Sequence, residues 1–295
     1  MKTQRLLFLS NMILIVGIVM LGTTDLQAQE DEKDVPYVPT PKPVVEKMLD
    51  LADVKSGDYV IDLGSGDGRI VIQSARRGAD GHGIEIDPSK IREARANAQR
   101  AGVDDQVRFL EQDLFKSDIS RASVVTLYLL PSINLKLRSI LMEQLEPGSR
   151  VVSHRFDMKN WKPDRQITIE NKKDEPGFLF DRTTEFTVYK KNHEVYYWVI
   201  PADVQGSWSW EADGHQFELA VNQKFQVVQL NLSRDGESIQ VDKANLHGKR
   251  LRFQAETRQT DYLFNGRVEG NTIEGMLQIR DGNKSTVKTW DAYRD

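Results

Sequence analysis

The sequence predicts an α/β domain, with a mostly parallel sheet and helices on both faces, followed by a small antiparallel all-β barrel or sandwich. Three observations predict it. Between Tyr59 and Phe156 short apolar runs alternate strictly with helix-periodic segments, the pattern of a parallel sheet with crossover helices. After Pro201 helical periodicity ends, and about eight alternating segments follow, several separated by Asp-Gly pairs. The chain has 295 residues, enough for two modest domains.

The amino terminus precedes this core. Lys2 and Arg5 flank an apolar stretch from Leu6 to Gly22, and Leu26-Gln27-Ala28 has the character of a cleavage site. Residues 1–28 therefore read as a signal peptide. An uncleaved anchor is the alternative, although the stretch is short for a span. In both readings the remainder is exported, periplasmic or secreted, and any membrane tie runs through an uncleaved signal. Residues 29–36 form an acidic tether, residues 37–201 the α/β domain and residues 202–295 the β-rich domain.

Within the α/β domain, Thr40 before Pro41 predicts a helix start, with a hydroxyl to cap and a proline to preset the first turn. Val44, Val45, Met48, Leu49 and Leu51 then recur at helical spacing. YVIDL predicts the first strand and Arg69 to about Arg77 a helix. HGIEI predicts the second strand, and Asp87-Pro88 opens a helix that Gly102 closes. QVRFLEQ, SVVTLYLL and SRVVSHRF predict three further strands, with a helix from Asn134 to Leu145. RQITIEN, TEFTVYK and EVYYWVI predict a terminal strand group. In the β-rich domain Trp208, Trp210, Phe217, Leu219, Phe253, Phe264, Val268, Met276, Leu277 and Trp290 alternate as interior residues would. Gly266, Gly270 and Gly275 are candidates for relieving curvature. Strands this short favour a packed interior, and so a structural or partner-binding module over a ligand barrel.

Composition narrows the chemistry. A net charge of −4 with no long Lys/Arg run argues against nucleic acid as a partner. The five histidines are scattered without ligand spacing, so no metal site is expected. The absence of cysteine is compatible with an envelope protein without disulfides.

The most informative stretch is VIDLGSGDGRI. Gly64, Gly66 and Gly68 allow a sharp turn after the first strand and bring backbone N–H groups close to a ligand. The spacing departs from the dinucleotide fingerprint, and Asp62 before the turn would repel a pyrophosphate. It suits a cationic amine instead. Glu85 ends the second strand, where a carboxylate can accept both hydroxyls of a ribose. Turn, preceding Asp and following Glu together point to S-adenosylmethionine (SAM). Gln112 and Asp113 end the third strand, where an acceptor could read an adenine amino group; a turn role for Asp113 fits equally well.

The segment from Val35 to about Pro163 resembles class I SAM-dependent methyltransferases, in particular the archaeal broad-specificity and mitochondrial protein lysine methyltransferases. VPYVPTP, DLGSGDGRIVI, GIEID, ASVVTLYLLPSIN and LEPGSRVVSHRFDM followed by Trp161 carry the resemblance. It implies a Rossmann-like methyltransferase fold, SAM as cofactor and a protein substrate with an accessible lysine. It further implies that Tyr37 and Thr40 fold over SAM, that Asp62, Gly64, Ser65 and Gly66 hold its methionine part, that Glu85 binds its ribose, and that Gln112 and Asp113 bind its adenine end; Asp67, within the same turn, is also a candidate for binding the cofactor. Leu129-Leu130-Pro131 and the stretch from His154 to Trp161 would border the acceptor channel. Tyr128, Pro131 and His154 are the candidates nearest the chemistry. Tyr128 reads equally as core, and His154 more readily as structural than as a base. Leu-Leu-Pro-Ser stands where enzymes that methylate nucleic-acid amines carry Asp/Asn-Pro-Pro-aromatic, which disfavours such an acceptor. Two other expectations stay open: a lipid or small-molecule amine as acceptor, and an exported protein that keeps a SAM site while its β-domain binds a partner. The export signal and the β-domain both depart from the family pattern.

Overall fold

A computed structural model describes residues 38–170 and 192–295, together with the backbone of two short strands at 178–179 and 187–188. The segments predicted as signal and tether, and Tyr37, lie outside the described residues, as does most of TEFTVYK.

Helix α1 (Lys42–Leu51) presents Val44, Val45, Met48 and Leu49 to the core, as their spacing predicts. Its start differs from expectation. Pro41, not Thr40, occupies the cap position, and no side chain caps the helix. The Thr40 hydroxyl is drawn inward to a buried histidine, a stronger claim on a polar group that is itself buried.

Strand β1 (Tyr59–Leu63) leads through the glycine turn into α2 (Arg69–Ala75), then β2 (Asp80–Glu85), α3 (Pro88–Ala101) and β3 (Val107–Glu111). Asp87 caps α3 by accepting the Ser89 N–H at 2.8 Å, and Gly102, at φ 69°, ends it. β4 (Val124–Leu127) is followed by α4 (Pro131–Gln144) and β5 (Arg150–His154). The apolar run SVVTLYLL is thus strand only to Leu127, and α4 begins at Pro131 rather than Asn134. Leu130 is extended, as a residue before proline must be, and proline's preset φ then opens the helix.

β6 (Arg165–Ile169) and β9 (His193–Val199) complete the sheet, while β7 (Phe178–Leu179) pairs with β8 (Thr187–Val188) as a separate hairpin. The seven-stranded order is β3-β2-β1-β4-β5-β9-β6. β1 to β5 run parallel; β9 is antiparallel to β5 and β6 is antiparallel to β9. Val60, Val124, Val152 and Val195 share a core with α1, while Ile61, Val125 and Val151, one residue out of phase, face the other way. β1 and β4 are adjacent, and the order reverses between them. Ligands in such sheets lie at that switch point, beyond the carboxyl ends of the strands.

The sheet's last strand ends at Val199. A closed antiparallel barrel follows, built from β10 (Gly206–Ala212), β11 (His215–Lys224), β12 (Val227–Arg234), β13 (Glu237–His247), β14 (Arg250–Glu256), β15 (Thr260–Glu269), β16 (Thr272–Asp281) and β17 (Lys284–Arg294). Asp213-Gly214 and Asp235-Gly236 have positive φ at both positions, so they form the two-residue turns whose twist suits a hairpin. The interior is filled by aromatic rings: Phe253 stacks on Phe264 (centroids 4.5 Å apart) and Trp210 on Phe217 (5.3 Å). Met276 departs from the expected interior set. It lies outside, 49% exposed, because its partner across the strands is Thr289 rather than Trp290. Gly275 takes the position opposite Trp290, and a Cβ on the adjacent Gly266 would fall 2.8 Å from that indole. Gly266 makes room for the tryptophan and Gly275 for the close backbone of Asn265 and Gly266, whereas Gly270 (φ 61°) forms a turn.

The two layers meet through specific contacts. Phe225, in the β11–β12 turn, stacks on Trp161 at 5.9 Å, and Gln226 donates to the Lys162 carbonyl (2.6 Å). The Ala202 N–H reaches the Gly248 carbonyl (2.9 Å). Trp161 is fully buried, and its own carbonyl accepts from the Trp198 indole (3.0 Å), so it packs between sheet and barrel.

Candidate active site

The glycine turn lies at the carboxyl end of β1. Gly64, Gly66 and Gly68 all have positive φ (77°, 51° and 79°), which a side chain would resist. The turn is held against the neighbouring strand: Gly64 and Ser65 both donate to the Ile84 carbonyl, at 2.9 and 3.0 Å. A Cβ on Gly64 would fall 2.8 Å from Leu129 Cδ2, so the glycine also lets the end of β4 close over the turn.

Glu85 stands at the centre of a backbone network. Its Oε2 accepts the Gly66 N–H (2.9 Å), and its Oε1 accepts those of Ile86 (2.9 Å) and Asp87 (3.0 Å). The carboxylate is therefore preset in direction before any ligand arrives. Asp62, 3% exposed, accepts the Thr126 hydroxyl at 2.6 Å. Burial pushes its carboxyl up to about 7, the Thr126 bond opposes this, and the charges of Glu85 and Asp67 add to it. A buried carboxyl perturbed by desolvation and by two neighbouring carboxylates marks a candidate functional position. Ser65 Oγ is buried beside it without a hydrogen-bond partner.

Asp67 turns away from this centre. It forms a paired bond with Arg69 (Nε to Oδ1, 2.9 Å; Nη2 to Oδ2, 2.6 Å), and Arg69 reaches on to the Thr40 carbonyl (2.8 Å). Arg69 thus fastens the arm before α1 to the glycine turn. Gln112 is tied to β2 through its N–H to the Glu85 carbonyl (3.0 Å), and its Oε1 accepts from Ser117 (3.2 Å). Asp113 accepts the Phe115 N–H (2.9 Å) and lies 3.3 Å from Lys116, which is a turn role.

A second group lines the ends of β4 and β5. The Tyr128 ring lies 4.1 Å from His154, which is wholly buried. His154 Nε2 bonds His193 Nδ1 (2.9 Å), and its Nδ1 faces the Thr40 hydroxyl at 3.4 Å. Burial, the adjacent His193 and Arg155 push the His154 imidazole down to about 3, so it is neutral in the fold. Burial raises the Tyr128 phenol, with Arg155 opposing. Pro131 opens α4, from which the buried Asn134 donates to Ser153 Oγ and the Phe156 carbonyl, both at 3.2 Å.

The structure therefore gathers Asp62, Gly64, Ser65, Gly66 and Glu85 at one strand end, and Thr40, Tyr128 and His154 at the next, with Leu129 between them. Arg69, Thr126, Asn134 and His193 are additions that sequence reading missed. Each works through a partner remote in sequence, and only Arg69, beside the glycine turn, carried a local signal.

Relatives share this part of the chain. A family model described as the ANTKMT methyltransferase domain matches residues 62–165. A protein-lysine N-methyltransferase of Saccharolobus islandicus is 45% identical over 139 residues, 46% of this chain and 86% of that protein. The adenine nucleotide translocase lysine N-methyltransferase of Mus musculus is 38% identical over 130 residues, where the match spans 44% of this chain and 56% of the relative. A solved structure, described as an RNA methyltransferase from Salinibacter ruber in complex with S-adenosyl-L-homocysteine, is 54% identical over 57% of this chain and 96% of its own, with a TM-score of 0.47.

Proposed function

The chain belongs to the methyltransferase family that includes the archaeal protein-lysine N-methyltransferase, and from that premise we propose that it transfers a methyl group from SAM to the ε-amine of a lysine in a protein. The observation that carries the reading is the pairing of a buried, near-neutral Asp62 with the preset Glu85 across a glycine turn.

The residues fit the cofactor. Asp62 would meet its cationic amino group, Glu85 its ribose hydroxyls, and Ser65 Oγ offers a buried hydroxyl still lacking a partner. Gln112 and Asp113 would border the adenine end, and Thr40 would lie where the arm crosses the site. Bound SAM supplies a methyl group already electrophilic at its sulfonium. What this chain must add is alignment of a neutral amine. His154 is not a general base, because both ring nitrogens face partners and the ring resists protonation. The ammonium's proton would pass to water as the side chain enters, and desolvation beside Tyr128 and Leu129 would hold the amine neutral by lowering its pKa. Its lone pair would then form the N–C bond as the methyl–sulfur bond breaks and the thioether leaves. Pro131 and the Asn134 bonds fix the strand end that forms this wall.

The amino-terminal sequence supports placing the reaction outside the cytoplasm, with an envelope protein as acceptor. Titration calorimetry with SAM tests the first step: wild type gives heat, while Asp62→Ala and Glu85→Ala give little. Transfer of radiolabelled methyl to a lysine-bearing protein tests the second. Acetylating the acceptor's lysines abolishes the label if the reading holds; label that persists refutes it.

A further inference from the structure

A row of side chains runs along one face of the sheet at its carboxyl end. Val60, Val124, Val152 and Val195 share a core with α1, so strand alternation puts Asp62, Thr126, His154 and His193 on that face too. β9 runs antiparallel to β5, and its first residue, His193, is therefore the one that reaches this end. Asp62 and Thr126 bond at one side of the row (2.6 Å), and His154 and His193 at the other (Nε2 to Nδ1, 2.9 Å). The Tyr128 ring, at the end of β4, lies 4.1 Å from that of His154.

Both imidazoles are buried, His154 at 0% exposure and His193 at 5%. A bond between two imidazole nitrogens takes one proton, so one ring donates and the other accepts. The Thr40 hydroxyl, 3.4 Å from His154 Nδ1, can either donate or accept, and it completes both arrangements. With a partner on each nitrogen, the His154 ring has one orientation. Without His193, its Nε2 would be a buried polar atom lacking a partner, and the ring would turn to find one. The face it presents to Tyr128 would turn with it.

His193 stands outside residues 62–165, the stretch that matches the methyltransferase family. It opens the strand that ends at Val199 and leads into the barrel. We propose that His193 is a positioning residue for methyl transfer: through His154 it fixes the Tyr128 side of the acceptor channel, so that the strand leading to the barrel completes the site. The proposal rests on Tyr128 lining the path of a protein lysine. In-line transfer tolerates little misplacement of the acceptor, which is why a ring two contacts away from the amine bears on the rate.

The test uses the full chain with its tyrosines replaced by 3-fluorotyrosine, read by fluorine NMR, together with methyl transfer from SAM to poly-L-lysine. Tyr128→Phe assigns the Tyr128 signal, and the signal of Tyr262, buried in the barrel, reports an intact fold. His193→Phe keeps a ring of similar size without its nitrogens. It shifts or broadens the Tyr128 signal, leaves that of Tyr262 unmoved, and lowers kcat on poly-L-lysine at least about tenfold. SAM affinity by calorimetry stays as in wild type, because Asp62 and Glu85 are held by Thr126 and the Gly66 N–H. His193→Asn, whose amide stands where Nδ1 stood, recovers most of the loss. In a His154→Phe background the change at His193 has little further effect, as it must if it acts through that ring. The proposal is overturned by an unmoved Tyr128 signal in His193→Phe, by an equal kcat, by no recovery in His193→Asn, or by losses at the two histidines that multiply. No transfer by wild type refutes the lysine reading instead, and the fluorine signals then decide alone whether His193 sets Tyr128.

Discussion

Asp62 shows most directly how one residue joins stability to function. Its carboxyl stands near 7 in the fold against an ordinary value of 3.8, so the fold favours the protonated form. The contribution to stability is therefore full below 3.8 and is lost as pH rises toward 7. Asp62→Asn should then unfold at higher urea than wild type at pH 8 and at nearly the same urea at pH 4, in equilibrium titrations. A cationic ligand reverses the preference. SAM affinity of the wild type should tighten with pH up to about 7 and level off above it. In Asp62→Asn the affinity should be weak at every pH, as calorimetry across that range would show.

At the scale of elements, the glycine turn and the end of β4 form one unit. Gly64→Ala should cost about 1–3 kcal/mol, from its positive φ and from contact with Leu129. Adding Leu129→Ala removes the contact but not the backbone strain, so denaturant curves of the pair should show no full recovery. Much of this unit was legible in the sequence. Asp62, the glycines and Glu85 lie on one strand–turn–helix–strand stretch, and local spacing alone brings them together. What lay beyond reading were the long-range partners. Thr40 looked like a cap because its neighbour is a proline; only the folded sheet brings His154 beneath it. The start of α4 was hidden because Leu129-Leu130 continue an apolar run, and periodicity cannot separate a strand's last residues from a wall of the site. Met276 was misplaced for a similar reason: Gly275, not Met276, stands opposite the inward Trp290, and alternation alone does not reveal that a glycine holds the inner face there.

Across the whole molecule, the sheet and the barrel share a joint rather than a linker. Phe225 of the barrel rests on Trp161, and Arg138 of α4 lies 5.3 Å from the Phe225 ring. Phe225→Ala should lower stability by about 2 kcal/mol, the cost of removing a partly buried ring. A single cooperative melting transition in wild type should broaden or split in the variant, measured by calorimetry. The closure of the barrel has one more consequence, for how copies of the chain meet in a crowded solution. An unpaired strand edge invites a second copy to align with it and begin a fibre. Here the eighth strand returns to the first, so the most strand-rich part of the chain spends its edges on itself and leaves its siblings no ladder to extend.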